Sequence, residues 1–332
     1  MKSLVIVESG AKAKKIKGYL DSNFPDKDWQ VEACVGHVRD LSDKENAVDP
    51  GDWNNLKWEF SSKGKKVMRD LRKFCKESEL LYLATDPDRE GEAIAWHLKN
   101  EFEKKKLLKD KLLSRISFTE ITPKAIEDAI KSPREIDQNL VDAYLARRIL
   151  DHLIGFKVSP FLWRHISRAK SAGRVQSPSL RIVCEKEDEI DAFIPEEYWP
   201  FKGNFNFNEF EVEANLTSIK GEKTDKKRIT NENDANSVNE KLSSLSFYLK
   251  DIESKPQSNS SKAPFRTSTL QQAASSKLAF TADRTMRVAQ KLYEEGLITY
   301  LRTDGISISN DVLNDLRNFI KDEYGDNYLS EN

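Results

Sequence analysis

Two groups of residues could do chemistry on a phosphate. Tyr300 and Arg302 lie in Gly296-Leu297-Ile298-Thr299-Tyr300-Leu301-Arg302-Thr303-Asp304-Gly305. This stretch is strand-friendly, and Gly296 can stop the helix before it. Residues two apart on a strand share a face, so the phenol and the guanidinium point the same way. The cation favours the phenolate and binds a phosphate oxygen, which makes the two a phosphate-attacking pair. On these ten residues alone the plainer reading is preferred: a strand with a half-buried Tyr and a surface Arg. The second group is Asp86, Asp88 and Glu90 in Thr85-Asp86-Pro87-Asp88-Arg89-Glu90-Gly91-Glu92. Carboxylates this close repel one another unless a cation neutralises them, and oxygen ligands suit Mg2+. The spacing is not that of a helix–loop–helix calcium site. An acid-rich helix N-terminus is the alternative. Glu8, at a second strand end, tips the reading toward metal.

These residues need elements to hold them. Leu4 to Val7 is a continuous apolar run, as in a parallel strand buried on both faces, and Glu8 sits at its carboxyl end, where α/β sheets place ligands. Val31–Val35 and Leu80–Ala84 read as further strands, and Arg115–Phe118 as another. Residues 42–62 read as an irregular insertion, followed by an amphipathic helix over 63–76. Helices are expected over 11–16 onward, 93–102 and 122–130. A long helix over 135–157 carries Tyr144, Arg148, Asp151, His152 and Phe156 as one stripe. A stripe of cation, acid and ring can bind a stacked base and its phosphates, though alone it reads as ordinary helix surface. Arg164, Arg168, Lys170 and Arg174 follow, with Ser171, Ala172 and Gly173 small enough for close backbone approach to a ligand. Residues 201–216 alternate as β structure, 235–242 as a helix and 247–252 as a strand. The Ser-rich stretch 255–262 reads as a linker. Helices then start at Thr267 or Ser268 and at Thr281, with a last one over 311–324. His97 lies inside a helix and reads as structural.

The chain of 332 residues supports two or more domains. Its 54 Lys plus Arg against 55 Asp plus Glu name no partner by net charge. Local crowding of lysines, arginines and acids suits an enzyme that grips a polyanion and keeps acids for metal. Cys34, Cys75 and Cys184 are far apart, so neither a zinc ribbon nor a disulfide framework is supported, and a reducing compartment fits. No apolar run approaches the length of a membrane span and no signal peptide is seen, so a cytoplasmic protein is expected. Lys220-Gly221-Glu222-Lys223-Thr224 lacks the upstream glycine and the Gly-Lys pair of a phosphate-binding loop, so ATP use has no support.

Seven blocks taken together resemble the bacterial type IA DNA topoisomerases, the topoisomerase I branch: Leu4–Ile16, Gly36–Leu41, Leu83–Leu98, Ala146–Gly155, Ser171–Ser177, Pro264–Gln272 and Gly296–Asp304. The acidic triplet alone marks only a Toprim fold, which primases and some nucleases share. The resemblance implies an α/β plus α+β multidomain chain: a Rossmann-like Toprim domain over 1–132 with an insertion at about 42–78, a helical DNA-binding segment over 133–195, a β arch and hinge segment over 196–262, and part of a tyrosine-bearing helical domain over 263–332. It implies ATP-independent, Mg2+-dependent cleavage and religation of one DNA strand, which relaxes negative supercoils. Tyr300 matches the nucleophile, Arg302 the arginine on the scissile phosphate, Glu8 the residue handling the proton of the 3′ oxygen, and Lys12 a lysine near that phosphate. Asp86, Asp88 and Glu90, with Glu8, match the Mg2+ site. His37, Arg147, Arg148, Asp151, His152, Phe156, Arg174 and Gln176 fall in blocks that support the site or grip single-stranded DNA. The expected partner is a single-stranded region of negatively supercoiled DNA, met by a monomer. Gly10 and Gly305 depart from the Pro and Ser usual in their motifs. His152 and Phe156 stand where a basic residue and a Tyr are common. The end at Asn332, soon after Tyr300, gives the expectation of an N-terminal portion. Its rivals are a fragment that only binds single-stranded DNA, and a Toprim nuclease that uses the acids without Tyr300.

Overall fold

The first strand, β1 (Lys2–Val7), is covered on both sides, with Leu4, Val5, Ile6 and Val7 all fully buried. In the computed structural model, which describes residues 2–53, 55–207, 209–224, 229–257, 261–308 and 310–329, this strand lies inside a four-stranded parallel sheet. The chain runs from β1 through α1 (Gly10–Asn23) to β2 (Asp28–Ala33). A short antiparallel pair follows, β3 (Arg39–Leu41) with β4 (Trp58–Phe60), so the insertion is irregular only between its two strands. After α2 (Ser62–Glu77) come β5 (Leu80–Leu83), α3 (Arg89–Lys104), β6 (Leu112–Arg115) and α4 (Pro123–Lys131). Strand order is β2-β1-β5-β6.

The period-2 alternation of the strands divides the core. Val5, Val7 and Tyr82 pack with Ile16, Leu20 and Ile126 of α1 and α4. Leu4, Ile6, Leu81 and Leu83 pack with Met68, Leu71, Ile94 and Leu98 of α2 and α3. The crossovers thus leave β1 and β5 for opposite faces, which makes the gap between their carboxyl ends the switch point where open α/β sheets bind ligands. Glu8 follows β1 there, and Asp86 follows β5.

The helix expected over 135–157 is in two parts. α5 (Gln138–Leu153) passes through a π-helical turn, Ile154–Val158, into the short α6 (Ser159–His165). Residues 175–260 form a second compact unit: α7 (Gln176–Asp191), the hairpin β7 (Lys202–Phe207) and β8 (Phe210–Asn215), the small pair β9 (Ser218–Ile219) and β10 (Glu222–Lys223), and α8 (Glu232–Ser243). The chain then returns to the first unit with α9 (Thr267–Leu278), α10 (Ala282–Glu294) and α11 (Asn310–Tyr324). Residues 258–260 of the expected linker lie outside the described residues. Among the described residues no helix is long and apolar enough to cross a membrane.

Four local expectations are corrected. The strand expected over 115–118 lies three residues earlier. Its ladder stops at Arg115, whose backbone turns to exchange hydrogen bonds with Arg134, and Ile116 and Phe118 are apolar because the segment after the strand is also buried. Residues 247–252 form no strand: they join no sheet among the described residues, and Tyr248 and Ile252 are exposed. Helix α3 begins at Arg89, four residues before its expected start, so Glu90 stands in its first turn and Asp88 is its N-cap. Arg266, not Thr267 or Ser268, occupies the N-cap of α9, with its N–H donating to Thr269 Oγ1 at 2.9 Å.

Candidate active site

The acidic loop is built by the start of α3. Asp88 Oδ1 accepts the Gly91 N–H at 2.8 Å, the usual N-cap bond to an otherwise unpaired helix donor. Thr85 Oγ1 donates to Gly91 O at 2.6 Å. Gly91 lies so close to the loop that a Cβ there would meet the Asp86 backbone, its nitrogen only 2.7 Å away. Gly91→Ala must therefore push the acidic loop off α3, and the expected result is a loss of about 1–3 kcal/mol by urea unfolding. Unchanged stability would mean that the loop is not packed this tightly.

Glu8 Oε1 accepts the Asp86 N–H at 3.0 Å, joining the ends of β1 and β5. Asp86 Oδ1 takes the ammonium of Lys12, from the first turns of α1, at 2.5 Å. Both partners are buried, Lys12 to 1% exposure. Lys12 Nζ also lies 4.8 Å from the ring centroid of Tyr293, a cation–π contact. Burial, and then the Asp86 carboxylate, push Glu8 up to about 7, against the pull of Lys12. Burial likewise raises Asp86, with Lys12 opposing. Glu8 thus holds its proton more tightly folded than unfolded, where its value is 4.5. Its contribution to stability is complete at acid pH and is lost as pH rises from 4.5 through about 7. In EDTA, Glu8→Gln should flatten the fall of the urea midpoint between pH 5 and pH 8. Equal pH slopes for the two proteins would contradict the assignment.

The segment 296–305 is not a strand. It has one backbone bond to the sheet region, from Tyr300 N–H to Thr119 O at 2.7 Å, and no edge to pair along. A bent path holds it instead. Gly296, at φ +67°, turns the chain against Ile121 O, a position that a side chain would fill. Lys15 donates to Glu295 O. Thr267 Oγ1 donates to Leu301 O at 2.7 Å and accepts Thr303 N–H at 3.0 Å. The Tyr300 ring meets the buried Tyr293 ring edge-on at 5.2 Å. Even without a strand, Tyr300 and Arg302 reach the same place: Tyr300 Oη donates to Asp88 Oδ2 at 2.6 Å, and Arg302 Nη1 lies 2.5 Å from Glu90 Oε2 and 3.5 Å from Asp88 Oδ2. Burial and the bond to Asp88 push the Tyr300 phenol far above its ordinary value, with Arg302 working the other way. Burial works against the charge on Arg302, but its bond to Glu90 and the negative charges of Glu90 and Asp88 around it together outweigh this and raise its pKa.

Glu8, His37, Asp86, Asp88, Glu90, Tyr300 and Arg302 line one cavity of about 380 Å3. Four of these residues bring carboxylates, and two of the four, Glu8 and Asp86, are raised by burial and by a neighbouring carboxylate whose repulsion a divalent cation would relieve, so the oxygen donors fit Mg2+. The carboxylates face one cavity but do not converge on one point: Lys12, Tyr300 and Arg302 hold them, and among the described residues no three metal-ligating side chains are gathered around a common centre.

The stripe on α5 docks on the chain after β2. Tyr144 stacks on His37 at 5.1 Å, Arg148 makes two bonds of 2.7 Å to Asp40, and His152 Nε2 bonds Lys44 O at 3.0 Å while stacking on Phe156 at 4.5 Å. Asp151 pairs with Arg174 at 2.9 Å. Arg147 is half-buried on the same helix, and Gln176 opens α7 in the second unit. His97 is structural as expected: it is fully buried, accepts from Arg39 Nε at 2.7 Å, and burial lowers it to about 2. Sequence reasoning takes Thr267 as a possible helix start and Tyr293 as an inward helix residue, but assigns neither to holding the Tyr300 segment, which both contact. It also misses Glu92 and Arg115, although Glu92 stands in the acidic motif itself.

A DNA topoisomerase family model matches residues 135–332, and a Toprim domain model matches residues 3–121. Over 336 residues the chain is 48% identical to the DNA topoisomerase 1 of Rickettsia bellii, covering 98% of this chain and 41% of that protein. Over 342 residues it is 45% identical to the DNA topoisomerase 1 of Xylella fastidiosa, covering 99% and 41%. The full-length topoisomerase I of Thermotoga maritima superposes with a TM-score of 0.79 at 37% identity, over 98% of this chain and 54% of that one. The chain spans about four-tenths of the length of the curated relatives it matches.

Proposed function

The chain belongs to the DNA topoisomerase family, with a Toprim domain at its start, and we propose that it cleaves and rejoins one DNA strand through a phosphotyrosine at Tyr300. The observation that carries this is the Tyr300 hydroxyl, delivered from a segment more than two hundred residues away to 2.6 Å from Asp88 in the acidic loop. In the proposed reaction the Tyr300 oxygen forms a bond to a backbone phosphorus and the bond to the 3′ oxygen breaks. Asp88 is placed to take the phenol proton. Glu8, which burial raises to about 7, gives one to the leaving 3′ oxygen. With DNA bound, Arg302 exchanges its carboxylate partners for a phosphate oxygen, and Lys12, buried behind Asp86, adds a second positive charge to the site. Religation reverses these transfers. The phosphotyrosine bond keeps the phosphodiester energy, so no ATP is consumed.

Toprim domains generally bind Mg2+, and Asp86, Asp88, Glu90 and Glu8 would hold it here. Bound there, it would neutralise the crowded carboxylates and orient the 3′ end for religation. His37, Arg147, Arg148, Asp151, His152, Phe156, Arg174 and Gln176 would grip the single strand; the ion pairs of Arg148 and Arg174 are half-exposed and can be exchanged for phosphates. The substrate is a single-stranded patch in negatively supercoiled DNA, met by a monomer in the bacterial cytoplasm. Residues 1–132 are read as the Toprim domain, 133–195 as the DNA-binding helices, 196–262 as an arch segment and 263–332 as part of the tyrosine-bearing domain.

The test is denaturant trapping of the chain on an end-labelled single-stranded oligonucleotide with Mg2+. The expected product is protein joined to the 5′ phosphate with a free 3′ hydroxyl. Free fragments without adduct would instead favour a Toprim nuclease, and binding without cleavage would favour a chain that only holds DNA.

A further inference from the structure

Arg115 and Glu92 are both fully buried, an expensive arrangement for two charges that the proposed chemistry does not use. Their bonds run to the loop that carries the acids. Arg115 Nη1 donates to Leu83 O at 3.0 Å, Thr85 O at 2.7 Å and Ile116 O at 2.5 Å, and Nη2 donates to Asp86 O at 2.8 Å. One guanidinium therefore fastens the end of β5, the acidic loop and the residue after β6. Glu92 holds it in turn, accepting Arg115 Nε at 3.0 Å. The remaining capacity of Glu92 faces the other way. It accepts Arg134 Nη1 at 2.7 Å and Nη2 at 2.9 Å, and the Asp137 N–H at 2.7 Å. Asp137 is the N-cap of α5, the helix with the Tyr144, Arg148, Asp151 and His152 row.

We propose that Glu92 and Arg115 are positioning residues: they set the backbone of the acidic loop for cation binding and register α5, with its strand-gripping row, against it. Neither touches the reacting atoms. The proposal rests on the phosphotyrosine and Mg2+ reading above. Its logic is that of groups behind metal ligands, whose loss lowers metal affinity about 10–100-fold while the ligands themselves remain.

The test is a calorimetric Mg2+ titration of the whole chain without DNA, so that its readout is not activity. Two variants separate charge from geometry. Glu92→Gln removes the charge that orients Arg115, and Arg115→Lys keeps a charge beside Glu92 but loses the planar fork. Leu98→Ala, in the core under α3, serves as a control that lowers stability without touching the network. The expected result is a Mg2+ dissociation constant raised about 10-fold or more in whichever of the two variants folds by circular dichroism, with Leu98→Ala unchanged. Oligonucleotide affinity in EDTA should weaken severalfold in the same variants. Wild-type Mg2+ affinity in the folded variants, or an equal loss in Leu98→Ala, overturns the positioning role. Unchanged oligonucleotide affinity overturns the registration of α5. Wild-type chain that binds no Mg2+ at all overturns the metal reading itself, and this proposal with it.

Discussion

Tyr300→Phe is expected to abolish covalent capture of DNA, a loss on the order of 10^4-fold or more, while leaving the chain folded and able to bind a single strand. The substitution removes one oxygen. The ring keeps its edge-on contact with Tyr293 and its place in the core below the sheet. Asp88 loses the phenol as a donor, but it still caps α3 through Gly91 and still faces Arg302, and its side chain is exposed enough for water to fill the gap. Stability should therefore change by no more than about 1 kcal/mol. Binding should persist because the cations proposed to grip the strand are on other residues, Arg148, Arg174 and Arg302 among them. The comparison to make is adduct yield on a labelled oligonucleotide, with affinity measured by fluorescence anisotropy on the same preparation. A variant that still cuts with Mg2+ at the wild-type rate would mean that water, activated at the acids, is the nucleophile. The tyrosine mechanism would then be wrong, whatever the family.

How much of this site could be read in advance depends on how each part is specified. The buried strands were legible because continuous apolar runs such as Leu4–Val7 and Leu80–Leu83 have few other uses in a short segment. With them came Glu8 and Asp86, whose positions follow from being next after a strand. The path of 296–305 was not legible. Leu297, Ile298 and Thr299 have the residue types of a strand, but a strand needs an edge to pair with: Leu297 N–H turns back to Leu292 O of the preceding helix, and Tyr300 N–H bonds Thr119 O without a ladder on either side. The conclusion that Tyr300 and Arg302 converge was right for a reason other than the one given: Thr267, Gly296 and Asp88 bring them together, not the pleat of a sheet. Arg115 and Glu92 leave no periodic trace, because a charged pair buried by tertiary contact resembles any surface Arg and Glu in the sequence. The one available signal was that Arg115 stands among Leu112, Leu113 and Ile116.

Lys12→Met should cost about 3–5 kcal/mol at pH 8, the penalty for leaving a buried charge without its partner. Asp86 is 6% exposed, and Lys12 is its closest counter-ion, 2.5 Å away. Methionine fills much of the same volume against the Tyr293 ring, so the loss is one of charge more than of packing. The pH dependence separates the two. Burial already holds the Asp86 carboxyl above its ordinary 3.8, and Lys12 is the main force pulling it back. Without Lys12 the carboxyl rises further, so the folded variant binds a proton that the unfolded chain has released. The gap to wild type is then smallest at acid pH, widens as pH rises above the raised folded value of the wild type, and is complete above the still higher folded value of the variant. Urea unfolding at pH 5 and pH 8 measures it, and a loss of equal size at both would point to packing instead. The double variant Lys12→Met with Asp86→Asn carries the argument one step further. Removing the orphaned charge should restore most of the stability, yet it should not restore adduct formation, because the site then lacks both the Lys12 ammonium and a carboxylate proposed to hold Mg2+. Stability and chemistry would part company at one pair of residues, showing that the fold needs only their neutrality while the reaction needs their charges.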